Sequence, residues 1–350
     1  MGKSDMKKFL TKLSYTVLPL WLATMGLVAY FHLAVEPNIH GELGSLGKMP
    51  FAPEVMNDTI AHKYYTDIED ERLLADTVVD VLTIGDSFSQ QGMGSYENFL
   101  ARDGLRVANF HMNQNMFQTA YDMMNLGFVD STHVKAIVVE CVERYLVERA
   151  TSLKMGNDAI AKSRIGRANA MGGDNGGDSG ASRVNWSLLE AKNYLMLRLG
   201  HPEPVKHCTL NRQLFNGPRG KELYFYFEDL NRFHIGKEEQ AVIARNIALL
   251  NHKADSLGID ILYLVPPDKL DLYQDFIVDN PYPRKTVNED LARCFPTPER
   301  LLPGKDVLLP LVKSGEKDVY HLSSTHWSYA SARRVAAAVA RRLHLAPSCK

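Results

Sequence analysis

What the 350-residue sequence lacks narrows its function first. It has no excess of either charge: 40 Lys and Arg against 41 Asp and Glu leave a net charge of −1. Composition therefore gives no support to a nucleic-acid partner, which requires a basic footprint. Metal-ligand spacing is also missing. The four cysteines, Cys141, Cys208, Cys294 and Cys349, form no CxxC pair, so no zinc site and no other metal is assigned. Cys141 lies in an apolar run and reads as a buried thiol, whereas Cys208 and Cys294 are candidates to pair in an oxidising compartment. No internal repeat is visible, and only one stretch has the length and apolarity of a membrane span.

That stretch is residues 15–35, YTVLPLWLATMGLVAYFHLAV, which carries no full charge and follows Lys3, Lys7, Lys8 and Lys12. About 20 apolar residues cross a bilayer core, and proline is tolerated in such helices. Lysines before the run place the N-terminus in the cytoplasm. No small-x-small site follows, which argues against a cleaved signal peptide. The expectation is a single-pass membrane protein: a cytoplasmic tail (1–14), a transmembrane anchor (15–35), and a stalk (36–74) with a short helix near 67–76. The remainder lies outside the cytoplasm.

From residue 75 onward the chain alternates between strands and helices. Residues 78–84, 105–110, 134–142 and 259–265 are apolar, β-branched runs of the kind buried on both faces of a parallel sheet. Helical patterns fall over 94–103, 115–127, 237–257 and 328–343. Ser95 and Ser328 suit the N-caps and Gly127 the C-terminal stop. Residues 306–311 read as a short strand. The alternation breaks between 150 and 235. Residues 171–182 are MGGDNGGDSGAS, a composition that builds no packed core. Asp174, Asn175 and Asp178 there do not match an EF-hand's spacing. A helix is expected over 186–199 and irregular structure over 201–227. The pattern predicts a three-layer α/β/α domain at 75–345 with a parallel sheet, interrupted by an insertion at 150–235.

Two short stretches carry the chemistry. Residues 78–91, VVDVLTIGDSFSQQ, deliver Ser87 to a turn at the end of the first core strand. Residues 321–330, HLSSTHWSYA, set His326 just before the last helix. In an open α/β sheet both positions fall at the carboxyl ends of the strands, where ligands bind. A serine hydroxyl becomes a nucleophile only beside a base and oxyanion donors. Alone, each stretch also reads as a cap: Asp86-Ser87 after a strand, His326 before a helix. His321 is the rival base.

GDSF, VVECVERYL at 138–146, VPPDKLDLY at 265–273 and THW, in that order, resemble the SGNH (GDSL-like) hydrolase superfamily. More narrowly they resemble its membrane-anchored, periplasmic O-acetyltransferase branch, the AlgJ/AlgX-like proteins. The resemblance implies Ser87 as acyl-accepting nucleophile and His326 as general base. It implies the Ser87 backbone N–H as an oxyanion donor, with Asn113 as a second. Asp86 would orient the turn and Arg144 would order the site through an ion pair. No cofactor is implied. The implied partners are a multi-pass MBOAT-type acyltransferase handing acetyl across the inner membrane and a polysaccharide acceptor. This sequence departs from the branch twice. Where the branch has an acid two residues before the histidine, Ser324 stands, so Ser324, a backbone carbonyl or an acid such as Asp318 must orient His326. Some alginate relatives place the Asp-His pair before the serine, whereas here Ser87 comes first. An esterase or deacetylase using the same pair, and a glycan-binding scaffold subunit that has lost the acid, are the alternative readings.

Overall fold

A computed structural model describes residues 3–30, 62–68, 74, 77–111, 115–154, 199 and 205–345. Six parallel strands form the central sheet: β1 (Thr66–Asp67), β2 (Val79–Gly85), β3 (Val107–His111), β4 (Val134–Glu140), β7 (Asp260–Val265) and β8 (Leu301–Pro303). Their spatial order is β1-β3-β2-β4-β7-β8. The run VDVLTIG of β2 is buried along its whole length, as its continuous apolar character requires of a central strand. Alternation still sorts its side chains. Val81 faces one apolar layer with Val138, Leu262 and Leu264, while Leu82 and Ile84 face the other with Val139, Ile261 and Tyr263.

Helices cover both faces. Numbered after the N-terminal helix α1 (Lys3–Tyr30), they are α2 (Tyr96–Arg102), α3 (Met116–Asn125), α4 (Glu143–Thr151), α5 (Lys237–Ser256), α6 (Lys269–Tyr273), α7 (Val287–Cys294), α8 (Gly304–Ser314) and α9 (Tyr329–Arg342). The buried side chains of α2, α8 and α9 join the first layer, and those of α3, α5 and α7 the second. Local chemistry sets the ends. Ser95 Oγ accepts the Asn98 N–H, Asn115 Oδ1 the Gln118 N–H and Ser328 Oγ the Ser331 N–H. These are N-caps that satisfy otherwise orphaned donors.

Several expectations need correction. Among the described residues no helix is long and apolar enough to cross a membrane, so the transmembrane helix at 15–35 is not supported. Helix α1 is described over Lys3–Tyr30. Residues 31–35 lie outside the described residues, as do most of 36–76, the Gly/Asp-rich loop and the helix expected at 186–199. Thr66–Asp67, in the stretch read as stalk, pairs with β3. Residues 306–311 are helical, not a strand. Leu308 and Val312, one turn apart, are the buried apolar side chains, and Gly315 closes the helix in the left-handed conformation. Within the stretch read as irregular, β5 (Val205–Thr209) and β6 (Glu222–Tyr226) form an antiparallel pair. Cys208 and Cys294 are both free thiols. They do not pair because Cys208 packs in one apolar layer and Cys294 borders the other, with the sheet between.

Candidate active site

The strand order places β2 between β3 and β4. The chain leaves β2 toward one side of the sheet and continues from β4 toward the other, so the carboxyl ends of β2 and β4 form the switch point where α/β sheets bind ligands. Ser87 sits there, opening a single 3₁₀ turn over Ser87–Ser89. Asp86 precedes it and is spent on structure. Its carboxylate accepts the Phe88 N–H at 3.3 Å and the Val142 N–H at 3.1 Å. Arg149 donates to it at 2.9 Å. Asp86 thus ties the turn to the segment after β4 and to α4, and is not aimed at His326. The Ser87 N–H donates to no described residue.

His326 arrives from the other end of the chain on a tight loop. An antiparallel bridge joins Tyr320 to Trp327, the His321 N–H donates to His326 O at 3.1 Å, and the Ser328 N–H to Val319 O at 3.0 Å. Lys269, 1% exposed, fastens this loop from below. Its ammonium donates to the carbonyls of His321 at 2.6 Å, Leu322 at 2.9 Å and Ser324 at 3.0 Å. The ring of Phe88 packs against His326 with centroids 4.7 Å apart and against Trp327 at 4.8 Å. The serine turn and the histidine loop therefore share one apolar contact.

This packing brings Ser87 Oγ to 2.8 Å from His326 Nε2. His326 Nδ1 lies 3.0 Å from Ser324 Oγ, which also accepts the His326 N–H at 3.3 Å. In the tautomer with the proton on Nδ1, Ser324 Oγ accepts it as a second N–H and Nε2 offers its lone pair to Ser87. Ser324 thus occupies the acid's position. Asp318, the other acid considered, turns away: its carboxylate accepts the Asn216 backbone N–H at 3.0 Å and the Asn216 side-chain amide. His321 is enclosed, and burial first, then the charges of Lys269 and His326, push it down to about 4. It is neutral at physiological pH.

A cleft of about 620 Å³ opens beside Ser87, lined by Asp86, Asn115, Val142, Arg144, Tyr145, Glu148, Arg149 and Ser152. Arg144 is buried, donating to Asp268 at 2.9 Å and Asp229 at 3.4 Å; it is an ion-paired wall residue. Lys285 joins the same network 3.0 Å from Asp268. Asn113 lies outside the described residues. Asn115, two residues on, lines the cleft, with its amide donating to Arg149 O at 2.8 Å and Ser152 Oγ at 3.0 Å. Arg149 is a site residue that the motif reading missed. Its guanidinium lies 4.6 Å over the Tyr145 ring and holds Asp86. Its one signal was a second Glu-Arg pair in ERYLVER. Lys269 was visible in the motif, but its role depends on a loop more than fifty residues away in sequence. Among the described residues no cluster of His, Cys, Asp and Glu is suited to hold a metal ion.

Residues 221–350 match the family described as the SGNH hydrolase-like domain of acetyltransferase AlgX. No curated protein and no solved structure gives a significant match. The matched range contains Lys269, Tyr273 and His326, whereas Ser87 precedes it. The match supports, over residues 221–350, the SGNH-like, AlgX-type branch that the motifs suggest.

Proposed function

We propose that this chain is a serine-dependent O-acetyltransferase that passes an acetyl group through an acyl-serine intermediate to a hydroxyl of an exopolysaccharide or other envelope glycan. The observation that carries the reading is the 2.8 Å contact between Ser87 Oγ and the basic nitrogen of His326 at the mouth of a cleft. In the first half-reaction Ser87 Oγ attacks the acetyl carbonyl and its proton passes to His326 Nε2. The Ser87 N–H meets the developing oxyanion. Collapse of the tetrahedral species expels the donor's leaving group, which takes the proton from Nε2. In the second half-reaction the acceptor hydroxyl gives its proton to Nε2 and attacks the acyl carbon, and Ser87 Oγ leaves with that proton. Asp86 and Arg149 hold the turn, Ser324 holds the histidine, and Arg144 keeps the cleft wall in place.

Transfer instead of hydrolysis requires the sugar hydroxyl to outcompete water at the acyl-enzyme. On this reading the cleft beside Ser87 is the acceptor site. A periplasmic location at the inner membrane, with a multi-pass MBOAT-type acyltransferase as acetyl source, belongs to the same proposal.

Incubation of the chain with an activated acetyl ester, with and without candidate glycans and beside Ser87→Ala, tests the reading by intact mass and product analysis. Acetyl-Ser87 with acceptor-dependent turnover is the expected result. Turnover to free acetate alone makes the protein an esterase. A second reading, a glycan-binding scaffold, is favoured by one observation, Ser324 in the acid's position. Glycan binding without any acylation would establish that reading in place of both enzyme readings.

A further inference from the structure

The turn that carries Ser87 rests on a buried carboxyl that the reaction above does not use. Glu140 is the last residue of β4 and is wholly enclosed. Its Oε2 accepts two hydrogen bonds, one from the Asp86 backbone N–H at 2.9 Å and one from Ser89 Oγ at 2.9 Å. The two donors stand on either side of Ser87 and Phe88, so a single oxygen ties both feet of the turn. Gly85 leans on the same group: a Cβ there would collide with Glu140 Oε2 and Ser89 Oγ. Ser89 Oγ also lies 3.2 Å from the Tyr96 hydroxyl, which brings α2 into the contact. The ladder between β2 and β4 already holds the two strands together as far as Ile84 and Val139. The Glu140 bonds begin where that ladder stops.

We propose that Glu140 is a positioning residue, a clamp that fixes Ser87 Oγ at its distance from His326 by binding the Asp86 amide and the Ser89 hydroxyl through one oxygen. It acts as a neutral group. Burial first, then the charge of Asp86, holds its proton well above the usual carboxylate range. A neutral carboxyl offers one carbonyl-like acceptor, which is what the two donors use, and leaves no negative charge behind a turn that must accept an oxyanion. The inference rests on the acyl-serine reading for its kinetic consequence, but not for its structural one.

The test uses the full chain and two measurements: the rate of Ser87 acetylation by p-nitrophenyl acetate, followed by intact mass, and amide hydrogen exchange of the peptide spanning residues 85–90. Glu140→Gln retains the acceptor oxygen and is expected to keep both within about twofold, less than the roughly tenfold per 1.36 kcal/mol that a lost contact would produce. Glu140→Leu removes the acceptor. It is expected to slow acylation about a hundredfold, the scale of a 1 Å misplacement, through the acylation rate constant with the half-saturating donor concentration unchanged, and to speed exchange at the Asp86 amide. A Leu variant with wild-type acylation and exchange overturns the clamp, and so does a Gln variant as slow as Leu. Should the Leu variant fail to fold, Ser89→Ala decides. Loss of one of the two bonds is expected to slow acylation about tenfold, and a wild-type rate overturns the proposal. If the wild-type chain takes no acetyl group, the acyl-serine reading falls, and exchange over 85–90 alone decides whether Glu140 holds the turn.

Discussion

Ser324 stands where an acid would both fix the histidine's tautomer and offset its positive charge, and a hydroxyl performs only the first task. Accepting a bond from Nδ1 at 3.0 Å would leave Nε2 basic toward Ser87, but a serine hydroxyl carries no charge to offset the imidazolium formed in each half-reaction, and the Lys269 ammonium lies under the same loop. Ser324→Asp is therefore expected to raise the acylation rate of Ser87 by about tenfold or more, a fraction of what an orienting acid is worth in such triads. Ser324→Ala is expected to lower it about tenfold through loss of one hydrogen bond. Stopped-flow acylation by an activated ester measures both. Two other buried groups contribute to the pH dependence of stability, with opposite signs. Glu97, enclosed on α2, is raised by burial to about 7. Because its unfolded form ionises near 4.5, its contribution is full below that pH and is lost as pH rises through about 7. His321, lowered to about 4, contributes above about 6.5 and loses that contribution as pH falls through about 4. Glu97→Gln should thus flatten the decline between pH 4.5 and 7, by a few kcal/mol in urea titrations.

At the scale of elements, the loop 320–327 and helix α6 behave as one part. Three loop carbonyls converge on the buried Lys269 ammonium, and Tyr320 Oη donates to Pro267 O at 2.6 Å. Lys269→Met would leave those acceptors unpaired, at about 1–3 kcal/mol each. The expected outcome is a melting temperature several degrees lower and loss of Ser87 acylation, read by calorimetry and intact mass. The elements also show how far local sequence reaches. Strand β2, helices α3 and α9 and their caps were legible because buried runs, helical spacing and capping residues are local signals. Helix α8 was not: LLPLV is a short apolar run with Pro310 inside, and only its packing shows that Leu308 and Val312 are the pair that faces inward. The pairing of β5 with β6 was hidden for the same reason, since a hairpin with a long connection carries no turn signal. The Ser87–His326 pair could be anticipated from position in the fold. Glu140 could not, because at the end of an apolar strand it reads as the strand's polar terminus. Its two donors become neighbours only across the β2–β4 junction.

For the whole molecule, the matched segment and the folding unit are different objects. Residues 221–350 contribute only β7 and β8 to the central sheet. The inner neighbour of β7 is β4, and a two-stranded sheet is marginal on its own. Expressed alone, that segment is expected to show no cooperative urea transition by circular dichroism, whereas the full chain shows one; a sigmoidal transition in the fragment would refute this. Both apolar layers likewise draw on each end of the chain. Val81 and Tyr96 pack in the same layer as Val335 and Val339, and Ile84 shares the other with Leu291.

The two partners of the Ser87–His326 contact lie 239 positions apart. A chain emerging in sequence order presents the serine and its turn before His326 and the helix behind it. Until residue 326 arrives the turn has no His326 beside it, so on the acyl-serine reading it stays inert toward esters. On that reading acylation begins only when α9 docks against α2, and the order of synthesis guards against reaction in the wrong place.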